Sequence, residues 1–163
     1  MRTINRTIVS ALIFSSDNKL LLGKKDPTKG GVYPDCWHIP GGGVEEGETF
    51  EQALIREVKE EVGLDITPYK PEAIPYVAKG VSEKTLKDTG EKVLCHMEFN
   101  RFKIIINDKT ADKIQLKLDD DLIEVRWFDP IELRDVKLIP GGREFFEKLG
   151  YISKQLFSPR LDF

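Results

Sequence analysis

GGVEEGETFEQALIREVKEEVGL, residues 42–64, decides how the rest of the chain is read. Thr49-x-x-Gln52 is a capping box that opens a helix, strong helix formers continue to Val62, and Gly63 supplies a left-handed stop. At about 100° per residue, Leu54, Ile55, Val58 and Val62 share one arc of the helix, and Glu57, Glu60 and Glu61 fill the arc beside it. The apolar arc packs into a core; the acidic arc faces outward or into a cleft. The glutamates are i,i+3 and i,i+4 neighbours, so each close like-charge pair costs roughly 0.2–0.5 kcal/mol. They also occupy the last turns, where the helix dipole disfavours negative charge. Two unfavourable terms at one place invite a cation, and a hard divalent ion such as Mg²⁺ or Mn²⁺ prefers carboxylate, water and phosphate oxygens. Taken alone, the ridge also reads as a solvated acidic face beside Arg56 and Lys59.

Upstream, Thr7 to Phe14 is an apolar strand, Ser15-Ser16-Asp17-Asn18 a polar turn, and Lys19 to Lys25 a returning strand, which together form a hairpin. Arg2 and Arg6 ahead of this run mimic a secretory signal, but a convincing small-residue cleavage site is lacking and a second apolar segment comes at once, which favours a buried strand. Residues 26–35 form a loop rich in Gly, Pro and Asp; Cys36 to Ile39 is a short extended piece, and Gly41-Gly42-Gly43 a glycine turn. Downstream, Ala73 to Val81 and Val93 to Ile106 are β-rich, separated by a charged, mobile hairpin loop over residues 82–92. Leu122 to Phe128 is a further strand, Asp129 to Leu133 a helical turn, and Arg143 to Leu149 a second helix. The expectation is one mixed α/β domain over residues 1–163, with four to six strands and two main helices.

Composition narrows the function. With 25 Lys+Arg against 28 Asp+Glu and a formal net charge of -3, no overall basic footprint exists for nucleic acid or an anionic membrane surface. A polyphosphate ligand therefore needs a bridging cation or a few aimed basic groups. Cys36 and Cys95 fit neither a CxxC nor a zinc spacing, which reads as two free thiols in a reducing cytoplasm. No apolar run reaches the length of a membrane span.

Gly42, Glu48, Arg56, Glu57, Val58, Glu60, Glu61, Gly63 and Leu64 satisfy every fixed position of the pattern G-x5-E-x7-R-E-U-x-E-E-x-G-U, U being aliphatic. An accidental full match has a likelihood on the order of one in a million or less. The stretch resembles the box of the Nudix hydrolases, the MutT-like family, and Trp37-His38-Ile39-Pro40-Gly41-Gly42 resembles the strand and turn that lead into it. The resemblance implies an α/β fold, an α/β/α sandwich around a central mixed β-sheet with the box as loop-helix-loop. It implies Mg²⁺, or Mn²⁺, bound by Glu57, Glu60 and Glu61, and hydrolysis of a pyrophosphate bond in a nucleoside diphosphate derivative. Glu60 is the preferred catalytic acid, with Asp119, Asp120, Asp121 and Glu124 as alternatives for the base. Glu48 and Arg56 are expected to pair and orient the metal-binding acids, and the Gly41 carbonyl to add a metal ligand.

Lys24, Lys25, Lys29 and Arg101 are candidates for phosphate contacts, and Tyr33, Trp37, Phe99 and Phe102 for stacking on a base; for each, surface charge or core packing is the simpler reading. His38 and His96 fit no metal spacing and read as structural. A nucleoside triphosphate or an oxidised nucleotide such as 8-oxo-dGTP is the favoured substrate, although Leu138 to Gly142 offers no asparagine to read a purine. ADP-ribose, nucleotide sugars and diadenosine polyphosphates stay open, as does a homodimer. A nucleotide-sensing Nudix domain would be expected to lack a metal glutamate or carry a fused domain, and an isopentenyl diphosphate isomerase would carry a cysteine near the glycine turn; this chain shows none of these features.

Overall fold

The computed structural model describes residues 1–29, 33, 35–119 and 122–153. Among them eight strands, β1 (Arg2–Phe14), β2 (Leu20–Lys25), β3 (Trp37–His38), β4 (Gly41–Gly43), β5 (Glu72–Ala73), β6 (Ala78–Thr85), β7 (Lys92–Ile105) and β8 (Leu122–Phe128), form one mixed sheet. Among the described residues two α-helices, α1 (Phe50–Val62) and α2 (Gly142–Lys148), accompany it. β1 is the spine: it runs parallel to β7 along its whole length, from Arg2↔Val93 to Phe14↔Ile105. Its other edge meets β4 at Ile8 to Ser10 and β2 only at Phe14↔Leu20. From there β2 diverges to pair with β8 and β3, so the expected hairpin opens into two arms of the sheet.

The two faces of the sheet follow the alternation of β1. Val9, Ala11 and Ile13 point to α1 and join Leu54, Val58, Val62 and Ile104 in one core. Leu12 and Phe14 point the other way, against Phe145 and Phe146 of α2 and Leu133 of the 3-10 segment Pro130–Asp135. A helix on each face gives the sandwich expected from the sequence. No described helix is long and apolar enough to cross a membrane.

Local signals placed α1 correctly: the Thr49 hydroxyl accepts from the Gln52 N–H at 3.1 Å, the Gln52 side chain accepts from the Thr49 N–H at 2.9 Å, and Gly63 ends the helix at φ 72°. Elsewhere the sheet is larger than expected. The glycine turn at residues 41–43 is strand β4, and β3 and β5 are also too short to show a periodic pattern. The single strand expected over residues 73–81 is broken at Pro75, which has no N–H for the ladder, into β5 and β6. Of the charged stretch read as a hairpin loop over residues 82–92, the first four residues and Lys92 are strand, because β6 pairs with β7 through Thr85↔Lys92, and residues 86–91 form the connecting turn. Alternate residues of β6 are solvent-exposed, so Lys79, Glu83 and Thr85 belong to an open sheet face rather than a loop.

Candidate active site

β4 lies between β1 and α1, and its glycines are required by closeness rather than by a left-handed backbone. A Cβ on Gly41 would collide with the Val9 carbonyl, and one on Gly42 with the Glu57 carboxyl group. The Gly42 position therefore lets the Glu57 carboxylate lie directly on the strand backbone. On the same side the Gly41 N–H donates to Glu61 Oε1 at 3.1 Å. Gly41 thus enters the site through its N–H.

Arg56 organises the acids. Its Nε and Nη2 donate to Glu48 Oε2 and Oε1 at 2.7 and 2.8 Å, a bidentate fork, and Nη2 also donates to the Gly43 carbonyl at 2.9 Å. Nη1 donates to Glu57 Oε1 at 2.9 Å and to Glu60 Oε2 at 3.4 Å. One guanidinium therefore ties the loop before α1, strand β4 and two of the helix acids into a unit. Glu48 also accepts from the Glu45 N–H at 2.8 Å. The Arg56 hydrogen bonds and this backbone bond hold the Glu48 carboxyl down at about 2.

The three ridge glutamates occupy different environments. The Glu60 side chain is 56% exposed, that of Glu57 only 15%, and Glu61 is buried. Burial raises the Glu57 carboxyl despite Arg56 beside it. Burial pushes Glu61 up to about 8, against the pull of Lys25 and the Gly41 N–H, with Glu57 and Asp119 adding repulsion. Glu61 Oε2 is buried without a hydrogen-bond partner among the described residues. Carboxylate oxygens are the donors a hard divalent ion takes, and an orphaned one beside a second carboxylate fits such an ion. Among the described residues the three do not yet converge on a point, since Glu57 and Glu60 lean to Arg56 and Glu61 to Gly41.

The raised Glu61 value has a consequence for stability. Folding favours its protonated form, so its contribution is intact below the ordinary carboxylate value of 4.5 and is lost as pH rises toward about 8. Without divalent ions, the melting temperature is expected to fall between about pH 6 and pH 8, with Glu61→Gln removing most of that slope. Equal slopes in the two proteins would show that Glu61 titrates normally.

Of the other expected residues, Lys25 reaches the site, where its charge acts on both Glu57 and Glu61. Asp119 is also brought there, its N–H donating to the Glu61 carbonyl at 3.3 Å. Glu124 instead pairs with Lys24 at 3.7 Å, and Lys24 lies over the Trp37 ring at 4.7 Å. Trp37 is core, edge-on to Phe128, and the half-buried Phe102 packs against Phe50 on the α1 side. Tyr33 and His96 are exposed. Burial holds His38 down at about 4, and its Nδ1 lies 2.9 Å from the Ile39 carbonyl. Asp120, Asp121 and the side chain of Lys29 lie outside the described residues. Sequence reading missed the Gly43 carbonyl and Arg6, whose guanidinium occupies the space a Gly43 side chain would take. Only the β1–β4 register brings Arg6 there.

A NUDIX domain profile matches residues 4–149 of the chain. The nucleoside triphosphatase NudI of Escherichia coli strain K12 is 34% identical over 133 residues, spanning 78% of this chain and 84% of NudI. Among solved structures, the E. coli dihydroneopterin triphosphate pyrophosphohydrolase superposes with a TM-score of 0.65 at 21% identity, covering 87% of this chain and 92% of that one. A MutT protein from Methanosarcina mazei Go1 does so with a TM-score of 0.62 at 24% identity, covering 92% and 96%. These two likenesses speak to the fold.

Proposed function

The chain belongs to the Nudix hydrolase family and is a nucleotide pyrophosphohydrolase, and within that activity we propose that it hydrolyses a nucleoside triphosphate or an oxidised nucleotide such as 8-oxo-dGTP. The observation that carries the reading is the acidic ridge of α1 laid against the β4 glycines, with Glu61 Oε2 buried beside Glu57 and without a hydrogen-bond partner among the described residues. The NudI likeness, which spans most of both chains, supports a nucleoside triphosphate over larger dinucleotides.

Glu57, Glu60 and Glu61 would hold the divalent cation, Mg²⁺ or Mn²⁺. Such an ion, when bound, neutralises phosphate oxygens and lowers the pKa of water. The chain's own residues do the rest. Lys25 places a positive charge beside Glu57 and Glu61, where the phosphates would lie. Arg56, gripped by Glu48, fixes the direction of Glu57 and Glu60. Glu60 is the exposed member, touched by one guanidinium nitrogen at 3.4 Å through Oε2. Its carboxylate would take the proton of a water that attacks phosphorus. The bridging P–O bond breaks, and the leaving phosphate departs with its electron pair.

The test is product analysis in ¹⁸O-labelled water across nucleoside triphosphates, 8-oxo-dGTP, ADP-ribose, nucleotide sugars and diadenosine polyphosphates, with and without Mg²⁺. The reading expects Mg²⁺-dependent turnover, fastest on a triphosphate, with label in one product. Binding of nucleotides without turnover would make the domain a sensor, and fastest turnover of ADP-ribose would move the substrate class.

A further inference from the structure

On the face of the sheet turned toward α2, β1 presents Leu12 and Phe14 fully covered by the second core. Farther along the same face the cover stops. Ile8 is only half-buried, and so are its neighbours on β7, Phe99 level with Ile8 and Arg101 level with Ser10. The neighbouring strands carry little side chain of their own, Gly41 and Gly43 on β4 and Gly80 on β6, where an added Cβ would sit 3.2 Å from the Phe99 ring, although the Arg6 guanidinium of β1 fills the space over Gly43. An otherwise covered face thus has a shallow floor between Arg6 at one end and Phe99 and Arg101 at the other.

The Arg101 guanidinium lies over the Phe145 ring at 4.1 Å and near the Phe99 ring at 5.8 Å. The rings attract the charge but accept no N–H bond in the plane of the fork. Among the described residues its side chain makes no hydrogen bond or ion pair, although burial already disfavours its charge. Its five donors thus sit in a half-buried place without an acceptor among the described residues. Position gives the acceptor a scale. Gly41, Ser10 and Arg101 are level on three adjacent strands, so two strand spacings, about 10 Å, separate Arg101 from the backbone that touches Glu61. Because α1 packs on the opposite face, a nucleoside whose phosphates are held at the ridge would reach Arg101 around β4, which pairs with β1 alone among the described strands.

We propose that Arg101 is a specificity-determining residue, donating to the oxo edge of a base that rests beside Phe99. The inference rests on the nucleotide-hydrolase reading above and deepens it. Arginine has donors only, so it matches the O6 and N7 acceptors of guanine or the O4 of uracil and thymine, and meets the exocyclic amines of adenine and cytosine donor to donor. A phosphate contact, the alternative role for this side chain, would be blind to the base.

The experiment compares kcat and KM for dGTP against dATP and for dUTP against dCTP, in the wild type, Arg101→Met and Arg101→Lys. Methionine keeps an apolar stem against Phe145, and lysine keeps the charge while losing the fork. In the wild type the oxo-edge member of each pair is favoured by about ten-fold or more, through KM. Arg101→Met lowers that ratio toward one by raising KM for the oxo-edge nucleotides; Arg101→Lys falls between. A wild-type enzyme without the preference overturns the proposal, whether or not the variants fold. So does a variant that raises KM equally for all four nucleotides, which would assign Arg101 to phosphate, or one that leaves the ratio unchanged, which would leave it a packing residue. Failure to hydrolyse any nucleotide would instead remove the hydrolase reading, and this inference with it.

Discussion

Glu60→Gln is expected to lose about 10³-fold in turnover while its melting temperature without metal stays within a degree or so of the wild type. The side chain is 56% exposed and its one described hydrogen-bond contact is with Arg56 at 3.4 Å, so little folding energy depends on it. The amide keeps the shape and removes both the negative charge offered to a cation and the lone pair that accepts the proton of the attacking water. Steady-state kinetics with a saturating nucleotide, beside a melting curve, separates the two quantities. Near wild-type turnover would remove Glu60 from the reaction and direct attention to Asp119, which the structure brings to Glu61.

Arg56→Lys is expected to lower turnover by about 100-fold and stability by about 2 kcal/mol, a larger structural cost than a conservative charge exchange would suggest. Among the described residues the Arg56 side chain makes five hydrogen bonds from three nitrogens: two to Glu48, and one each to Gly43, Glu57 and Glu60. A lysine ammonium is a single point with three donors and cannot span Glu48 and Glu57 together. Glu48 would then lose the bidentate bond that holds its carboxyl at about 2. Because that depressed value stabilises the fold above the ordinary 4.5 and is lost as pH falls toward 2, the variant should also show a weaker acid-side loss than the wild type. Full activity in Arg56→Lys would mean that the fork does not position the acids.

The parts of this site that sequence made legible are those fixed locally. The capping pair Thr49 and Gln52, the Gly63 stop and the spacing of Glu57, Glu60 and Glu61 all lie within α1 and its ends, and each stands as the spacing implies. The unlike environments of the three glutamates were not legible, because the buried Glu61 is held by the N–H of Gly41, twenty residues away, on a strand only three residues long. Glycine repeats there resembled a turn, whereas close approach of β1 and Glu57 is what excludes a side chain. The open face carrying Phe99 and Arg101 was hidden for a related reason. Only the parallel register of β1 and β7, and the packing of α2 against one end of it, separates the covered residues from the uncovered ones. In β6, polar alternation on a half-solvated strand carried the same composition as a loop, and pairing with β7 decided between them.

The claim on which the rest depends is that the α1 ridge holds a divalent ion against the phosphates of a nucleotide. Crystals grown with Mn²⁺ and a non-hydrolysable nucleoside triphosphate analogue test it through the anomalous signal of the metal. The account predicts manganese within coordination distance of Glu57, Glu60 and Glu61 carboxylate oxygens and of the analogue's phosphate oxygens, with Arg56 still bound to Glu48. An analogue bound elsewhere on the protein, with the three carboxylates free of metal, would contradict it.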